Sequence, residues 1–541
     1  MHVPNPKPPV GHLGRFRPNV TYGEAVKPTP RLSLRRAPSA LRITAIATVV
    51  AFLAAVPVTA SAQGLTTVQA AAFPPELATY YGQALTWSEC EGQECTWLTV
   101  PLDYDQPAGQ TIRLRVSRTR ATGPAAQRQG SLVVNPGGPG ASGLDFAAYV
   151  ADSLAPRVAA QFDIVGFDTR GVGKSVPITC MTGVQTTRWL RADGSPDTRA
   201  EQARVMALAR QMAQGCLRMS PEIARHVGTE NTVRDLDILR QALGDTRLNW
   251  LGFSYGTYLG TLYAEAFPDT VGRFVLDGAL DPSLDVMAVS KGQSTGFQVA
   301  MSRFAKDCAP RASCPWHGSA SAVLTGINRL LAQIDRAPMN NPEGRDLVQA
   351  EALGALFYSM YSPLIWPNLR IALAQAKTGN GGGLQSIADY AADRTGPNTY
   401  ASNMASAFPA ISCWDTPAAP DAAGLSAAAT AWSRGVRVPD MARAMAWGNA
   451  PCSQWFGHTT RVPAPAKSTT TAPILVVGTT YDPATPYVWA QALSQQLTTS
   501  TLLTYRGDGH TAFGSGSRCV DDAVTDYLLR GTLPAAGTVC R

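Results

Sequence analysis

Ser254 stands at the centre of Gly252-Phe253-Ser254-Tyr255-Gly256, a G-x-S-x-G within NWLGFSYGTYLGTLYAEAFP, residues 249–268. A serine hydroxyl is a weak nucleophile at neutral pH and needs a base. The chain has six histidines. His2 and His12 lie in the N-terminal leader. His226 precedes the serine, against the order Ser…Asp…His of elbow hydrolases. His317 and His458 fall in a middle region poor in strand signals. His510, in YRGDGHTAF, follows the last strand-like run on a glycine-flanked loop, and by elimination and place it is the base. The base needs an orienting carboxylate. Asp482, in LVVGTTYDPATP, follows an apolar run and precedes His510 by 28 positions, room for one helix and one strand. Asp277 and Asp281, in VLDGALDP, are rivals; Asp508 is too near His510 in sequence. An oxyanion needs two donors. The N–H of Tyr255 supplies one, and the loop VVNPGGPGASG (133–143), through Gly137 or Gly138, supplies the other. No Lys-Ser/Thr follows that loop, which argues against a phosphate cradle.

These residues must be carried by strands that end at one edge. Short apolar runs at 96–102, 112–119, 131–135, 162–168, 248–253, 273–278, 473–478 and 501–505 read as strands. The middle ones are continuous rather than alternating, as in a parallel sheet buried on both faces. Helical spacing separates most of them. In TVRDLDILRQALG (232–244), Thr232 and Asp235 read as a capping box and Gly244 as the stop. Gly256, Gly260 and Ala264 leave one helix face bare, which lets a helix start close behind Ser254. Alternating strand and helix gives an α/β class.

Residues 281–470 break the rhythm. Segments 321–334 and 351–361 are helical in spacing, and six of the 11 tryptophans fall in this region. It reads as a helical lid inserted between two strands, its tryptophans mostly lid core. The core then comprises 63–280 and 471–541, with RVPAPAKSTTTAP (461–473) as the connector.

Residues 43–62 are apolar or small, follow several arginines and end in Ala60-Ser61-Ala62. They read as a secretory signal peptide cut after Ala62, behind a long N-terminal lead, rather than a retained membrane anchor. The Arg35-Arg36 pair lacks the residues of a twin-arginine signal, so general export is expected. Residues 1–62 hold eight of the 46 Lys+Arg and one of the 39 Asp+Glu, so the remainder has 38 of each and a net charge of zero. No nucleic-acid footprint remains. Ten cysteines behind a signal peptide imply disulfides. The simplest pairing joins neighbours: 90–95, 180–216, 308–314, 413–452 and 519–540. None has C-x-x-C spacing, so no metal or cofactor is expected.

NPGGPGASG, FDIVGFDTRGVGKSVP, the elbow stretch through DGALDP, and PILVVGTTYDPATP with GDGHTAF together resemble the secreted bacterial tripeptidyl aminopeptidases. These are serine exopeptidases of the α/β-hydrolase fold related to proline iminopeptidase. The resemblance runs in order over about residues 70–541. It implies Ser254 as nucleophile, Asp482 as acid, His510 as base and Gly138 as an oxyanion-loop glycine. It also implies peptide substrates with a free N-terminus. An exported esterase with the same triad is the second reading, since triad geometry does not separate esters from amides. A silent binding domain is the third; the presence of both Ser254 and His510 speaks against it. An enzyme that reads a free N-terminus must pair an ammonium group. In the lid, Asp415 of AISCWDTP is either that partner or a solvated loop carboxylate, and Glu230 is a rival.

Overall fold

Eight of these apolar runs become strands of one sheet. The computed structural model describes residues 74–342 and 344–541. The expected leader, signal peptide and cleavage after Ala62 lie outside the described residues. The strands are β1 (Ser88–Cys90), β2 (Gln93–Pro101), β3 (Thr111–Thr119), β4 (Ser131–Asn135), β5 (Asp163–Phe167), β6 (Leu248–Phe253), β7 (Val271–Asp277), β8 (Arg394–Gly396), β9 (Thr399–Tyr400), β10 (Ile474–Tyr481), β11 (Ser500–Asp508) and β12 (Val539–Cys540). Ten of them form the main sheet in the order β1-β2-β3-β5-β4-β6-β7-β10-β11-β12, and β8 pairs with β9 alone. From β5 to β12 every pairing is parallel; β1, β2 and β3 join antiparallel.

Burial on both faces explains the continuous apolar runs. Val133, Val165, Trp250, Leu276 and Val476 point into one layer, and Leu132, Val134, Ile164, Leu251, Val275 and Val477 into the other. Successive strand residues alternate sides, so a run buried twice must be apolar throughout. Because β4, β6, β7, β10 and β11 are parallel, their following loops emerge at one edge.

Between β7 and β10 the chain builds helices at Val286–Cys308, Ala320–Arg336, Gln349–Met360, Trp366–Lys377, Gly382–Ala391, Met404–Trp414, Ala422–Ser433 and Pro439–Trp447. They carry a core of their own, around Phe297, Met301, Phe304, Ile327, Leu331, Leu356 and Leu373. A second excursion, which the sequence did not separate from the hydrolase core, leaves after β5. Its long helix Arg199–Met219 turns Val205, Met206 and Ala209 onto Leu425, Ala429, Ala446 and Trp447 of the insert.

One expectation needs correction, and another gains detail. The helix after the excursion starts at Thr229 with Gly228 as its N-cap, so Thr232 and Asp235 form no capping box. Thr232 bonds back to Gly228 O at 3.5 Å, and Asp235 is buried in an ion pair with Arg170 at 2.6 Å. Burial of that pair outweighs the local capping preference. Residues 461–473, expected as the connector, run to β10 as a packed strap. Ser468 Oγ donates to Ala264 O at 2.6 Å, Lys467 N to Glu265 Oε1 at 2.8 Å, and Ala466 N to Gln496 Oε1 at 2.9 Å.

The ten cysteines form five disulfides between sequence neighbours, Cys90–Cys95, Cys180–Cys216, Cys308–Cys314, Cys413–Cys452 and Cys519–Cys540. Thiol titration of denatured, unreduced protein should therefore find no free cysteine. The Cys413–Cys452 bond closes 39 residues. In the chain-entropy account, replacing both by serine costs about 4 kcal/mol, read as a lowered denaturant midpoint. An unchanged midpoint would show that the insert does not need this staple.

Candidate active site

β6 is buried along its length and ends at Ser254, whose backbone sits at φ 55°, ψ −120° before the helix Tyr255–Ala266 begins. Few residues with a side chain adopt positive φ, and such a conformation persists only when its surroundings over-determine it. Ser254 N donates to Asp277 O at 2.9 Å, and Thr257 N to Ser254 O at 2.8 Å. The helix lies close on the sheet: Trp250 Nε1 donates to Gly256 O at 3.0 Å. A Cβ at Gly260 would come within 2.7 Å of that same Nε1. Along the bare face expected from Gly256, Gly260 and Ala264, Gly260 meets this indole from β6, and Gly256 meets Asn135 at the end of β4, 2.9 Å from where its Cβ would lie. Tyr255 opens the helix, so its N–H has no intrahelical acceptor and stands at the positive end of the helix dipole.

His510 and Asp482 are brought together from the ends of β11 and β10. His510 Nδ1 lies 2.9 Å from each Asp482 oxygen, and both side chains are buried. Asp482 Oδ1 also accepts from Ala484 N at 2.9 Å and Thr485 N at 2.8 Å, and Oδ2 from Thr485 Oγ1 at 3.0 Å and Thr511 N at 3.2 Å. An Nδ1 held by a carboxylate carries the proton and leaves Nε2 as the basic atom. Burial alone would lower the pKa of His510; the charge and hydrogen bond of Asp482, with the charge of Asp277, outweigh it and hold the imidazole above its usual value.

The rival carboxylates have other work. Asp277 is fully buried and accepts from Ala512 N and Phe513 N. Asp281 accepts from Ser283 N, Ser283 Oγ and Gln496 Nε2. Asp508 pairs with Arg303 of the insert, Nη2 to Oδ2 at 2.7 Å.

The glycine loop after β4 lies against the elbow. Gly137 has φ 94°, and a Cβ there would sit 2.8 Å from Ser254 Cβ and 3.1 Å from Tyr255 N. Its own N–H is engaged, donating to Asn135 Oδ1 at 3.0 Å. Gly138 follows at φ 106°. The loop's far end is tied to buried Asp168, which accepts from Ser142 Oγ at 2.7 Å, Gly143 N at 3.1 Å and Lys174 N at 2.8 Å.

The insert touches the His510 loop and the glycine loop. Tyr361 O accepts from His510 N at 2.8 Å, and the tyrosine ring meets the imidazole edge-on at 5.2 Å. Asn403 donates to Gly171 O at 2.8 Å and Ile178 O at 3.0 Å and accepts from Gly173 N at 3.0 Å. The next helix, Met404–Trp414, rests on the glycine loop: a Cβ at Gly140 would meet Ala407 Cβ at 3.0 Å and Met404 Sδ at 3.2 Å. At that helix's other end Asp415 is half-buried. It accepts from Thr229 N at 2.7 Å and from Thr229 Oγ1, and Thr229 Oγ1 bonds to Tyr255 OH. Burial, reinforced by nearby Glu230 and opposed by the Thr229 bonds, pushes Asp415 up to about 7. Glu230 is exposed and accepts from Thr459 Oγ1 at 2.5 Å.

Sequence reasoning missed Tyr361, Asn403, Thr229 and Asp168. No spacing rule pairs residues across an insert. Only the phrase GFDTRG, following a buried-type strand with an aspartate, hinted at Asp168.

Residues 438–540 match the family described as TAP-like protein. The chain is 36% identical over 486 residues to serine protease Hip1 of Mycobacterium tuberculosis, covering 85% of this chain and 91% of that protein. Carboxylesterase B of the same organism is 36% identical over 465 residues, covering 84% and 87%. Tripeptidyl aminopeptidase of Streptomyces lividans is 34% identical over 486 residues, covering 84% and 86%.

Gly278 and Gly435 share one backbone conformation, φ 69° and 70°. A Cβ at Gly278 would sit 3.1 Å from His510 Cε1, whereas one at Gly435 meets nothing within 4 Å. Both Gly→Ala variants should lose about 1 kcal/mol or more of stability. Only Gly278→Ala should lose activity, roughly 10- to 100-fold in kcat. Equal activity in the two would show that His510 tolerates displacement.

Proposed function

We propose, from the premise that this chain belongs to the TAP-like family of α/β-hydrolase serine peptidases, that it releases short peptides, tripeptides above all, from free N-termini. The observation that supports this reading best is the His510–Asp482 pair at 2.9 Å, together with a serine held at φ 55° whose N–H bonds to Asp277 O, one residue before Gly278, where a Cβ would sit 3.1 Å from His510 Cε1. In the proposed cycle, His510 Nε2 takes the proton of Ser254 Oγ as the oxygen attacks the scissile carbonyl. Asp482 stabilises the imidazolium. Tyr255 N–H and the glycine loop receive the oxyanion. Gly137 N–H is already bonded to Asn135, so Gly138 is the loop's donor and Gly137 allows the close approach. The imidazolium then protonates the leaving amine, and a water deprotonated by His510 frees the acyl-enzyme. This chemistry needs no cofactor.

Asp415 is the proposed partner of the substrate ammonium. Met404, Phe408, Ile411 and Asp415 recur at helical spacing along one face, so the helix that lies on the glycine loop also leads to Asp415. From Phe408 to Asp415 it rises about 10 Å, the reach of an extended tripeptide at roughly 3.3–3.6 Å per residue. A carboxylate accepting two bonds from Thr229 still has lone pairs to offer, and exposed Glu230 adds a second negative charge. The five disulfides support a site of action outside the reducing cytoplasm. Among the described residues no helix is long and apolar enough to cross a membrane. The relative named carboxylesterase B favours the ester reading as a second possibility; matched peptide-anilide and p-nitrophenyl ester substrates separate the two.

Ser254→Ala should abolish turnover in a folded protein, and a fluorophosphonate should label the parent at Ser254 alone; residual turnover would remove the nucleophile assignment. Asp415→Asn should raise KM for free-amine peptides by one to two orders of magnitude, roughly a lost charged hydrogen bond, and leave small neutral esters unaffected. Because Asp415 titrates at about 7, the parent's KM for free-amine peptides should rise as pH falls through that value, and the variant's should not. Equal losses on both substrate types would mark damage to the insert rather than loss of an anchor.

A further inference from the structure

We infer that Asp277 is a positioning residue that holds nucleophile and base in register and lends the base a second negative charge. The inference rests on His510 being the base. Asp277 ends β7, between the strand that delivers Ser254 and the strand that delivers Asp482. Its main-chain oxygen accepts from Ser254 N at 2.9 Å, one of the bonds that fix the serine at positive φ. Its carboxylate accepts from Ala512 N at 3.0 Å on both oxygens and from Phe513 N at 2.8 Å, gripping the chain just beyond His510. One residue therefore ties both loops to the same point of the sheet.

The side chain is 0% exposed, and among the described residues no arginine or lysine pairs with it. Holding two amides needs only an acceptor, which a neutral asparagine oxygen supplies. A buried carboxylate without a countercharge is costly, so the charge calls for its own explanation. The cation nearest to it is the imidazolium that forms when His510 takes the serine proton. Asp482 meets that cation by direct hydrogen bond and Asp277 through space. Burial pushes Asp277 up to about 6, against the pull of the Phe513 and Ala512 amides and of His510. The groups around His510 are Asp482 and Thr485 after β10, Asp277 and Gly278 after β7, and Tyr361 from the insert. Asp508, two residues earlier, is neutralised by Arg303. Asp277 takes no proton in the cycle; the proton passes from Ser254 Oγ to His510 Nε2 and on to the leaving group.

The test is the pH dependence of kcat/KM in Asp277→Asn. The expected result is a kcat lower by roughly 10- to 100-fold, KM unchanged, and an acid limb moved to lower pH because a negative charge beside His510 is gone. The downfield Nδ1 proton of His510, followed by NMR, should titrate in the same direction. Should the asparagine variant not fold, Asp277→Ser keeps an acceptor for the amides and takes its place. An acid limb that stays where it was, whatever happens to kcat, overturns the inference. His510→Ala is the control: turnover surviving there would fell the triad reading itself. An inactive His510→Ala beside an unaltered Asp277 variant would fell only the inference.

Discussion

A serine at φ 55° is a conformation the chain would abandon if any neighbour let it go. The rest of the molecule can be understood as what prevents that. A strand buried on both faces stops one residue short of Ser254, and the helix begins one residue after it. The helix must therefore lie almost on the strand, which is possible because Asn135 fills the space over Gly256 and Trp250 that over Gly260, and the indole bonds to the helix's first turn. The glycine loop closes on the same turn from the other side at Gly137. The arrangement is tight because it is made of backbone and rigid rings, which cannot give way by a rotamer change.

The insert between β7 and β10 supplies structure to the loops it touches. Tyr361 holds the amide of His510, Asn403 bonds three backbone groups of the turn after β5, Arg303 pairs with Asp508, and the helix Met404–Trp414 presses on the glycine loop. Part of the insert packs on a core of its own, while Ala407, Ala410 and Ile411 of the helix Met404–Trp414 join the main core. Precision at the reacting atoms thus depends on two cores being docked correctly.

How far the sequence could be read follows from which interactions are local. Continuous apolar runs identify strands buried on two faces, and β4 and β6 fall at residues 131–135 and 248–253 as expected. The sequence neighbours that form disulfides are legible for the same reason. Asp482 and Asp277 both stand between Ser254 and His510, so chain order leaves them rivals; the bond of Asp482 to His510 and the grip of Asp277 on residues 512 and 513 are not legible, because nothing local links them. The capping box at Thr232 fails because tertiary burial of Asp235 against Arg170 outweighs a terminus preference of about 1 kcal/mol. The helix Arg199–Met219 shows an apolar face, and that pattern says a face is covered without saying by what. Asp415 could be singled out by its segment, but Thr229, which fixes its orientation, lies 186 positions away.

The insertion point also sets the order in which the molecule becomes dangerous. β10 pairs with β7 across the whole insert, Ile474 beside Phe274. Translation therefore delivers the serine, its helix and the glycine loop first, then nearly two hundred residues of insert, and only then Asp482 and His510. In the proposed cycle, a nascent chain would carry Ser254 without its base until the final segment docks along β7. The proposed triad is therefore complete only once the last segment of the chain has paired, a delay that connectivity imposes.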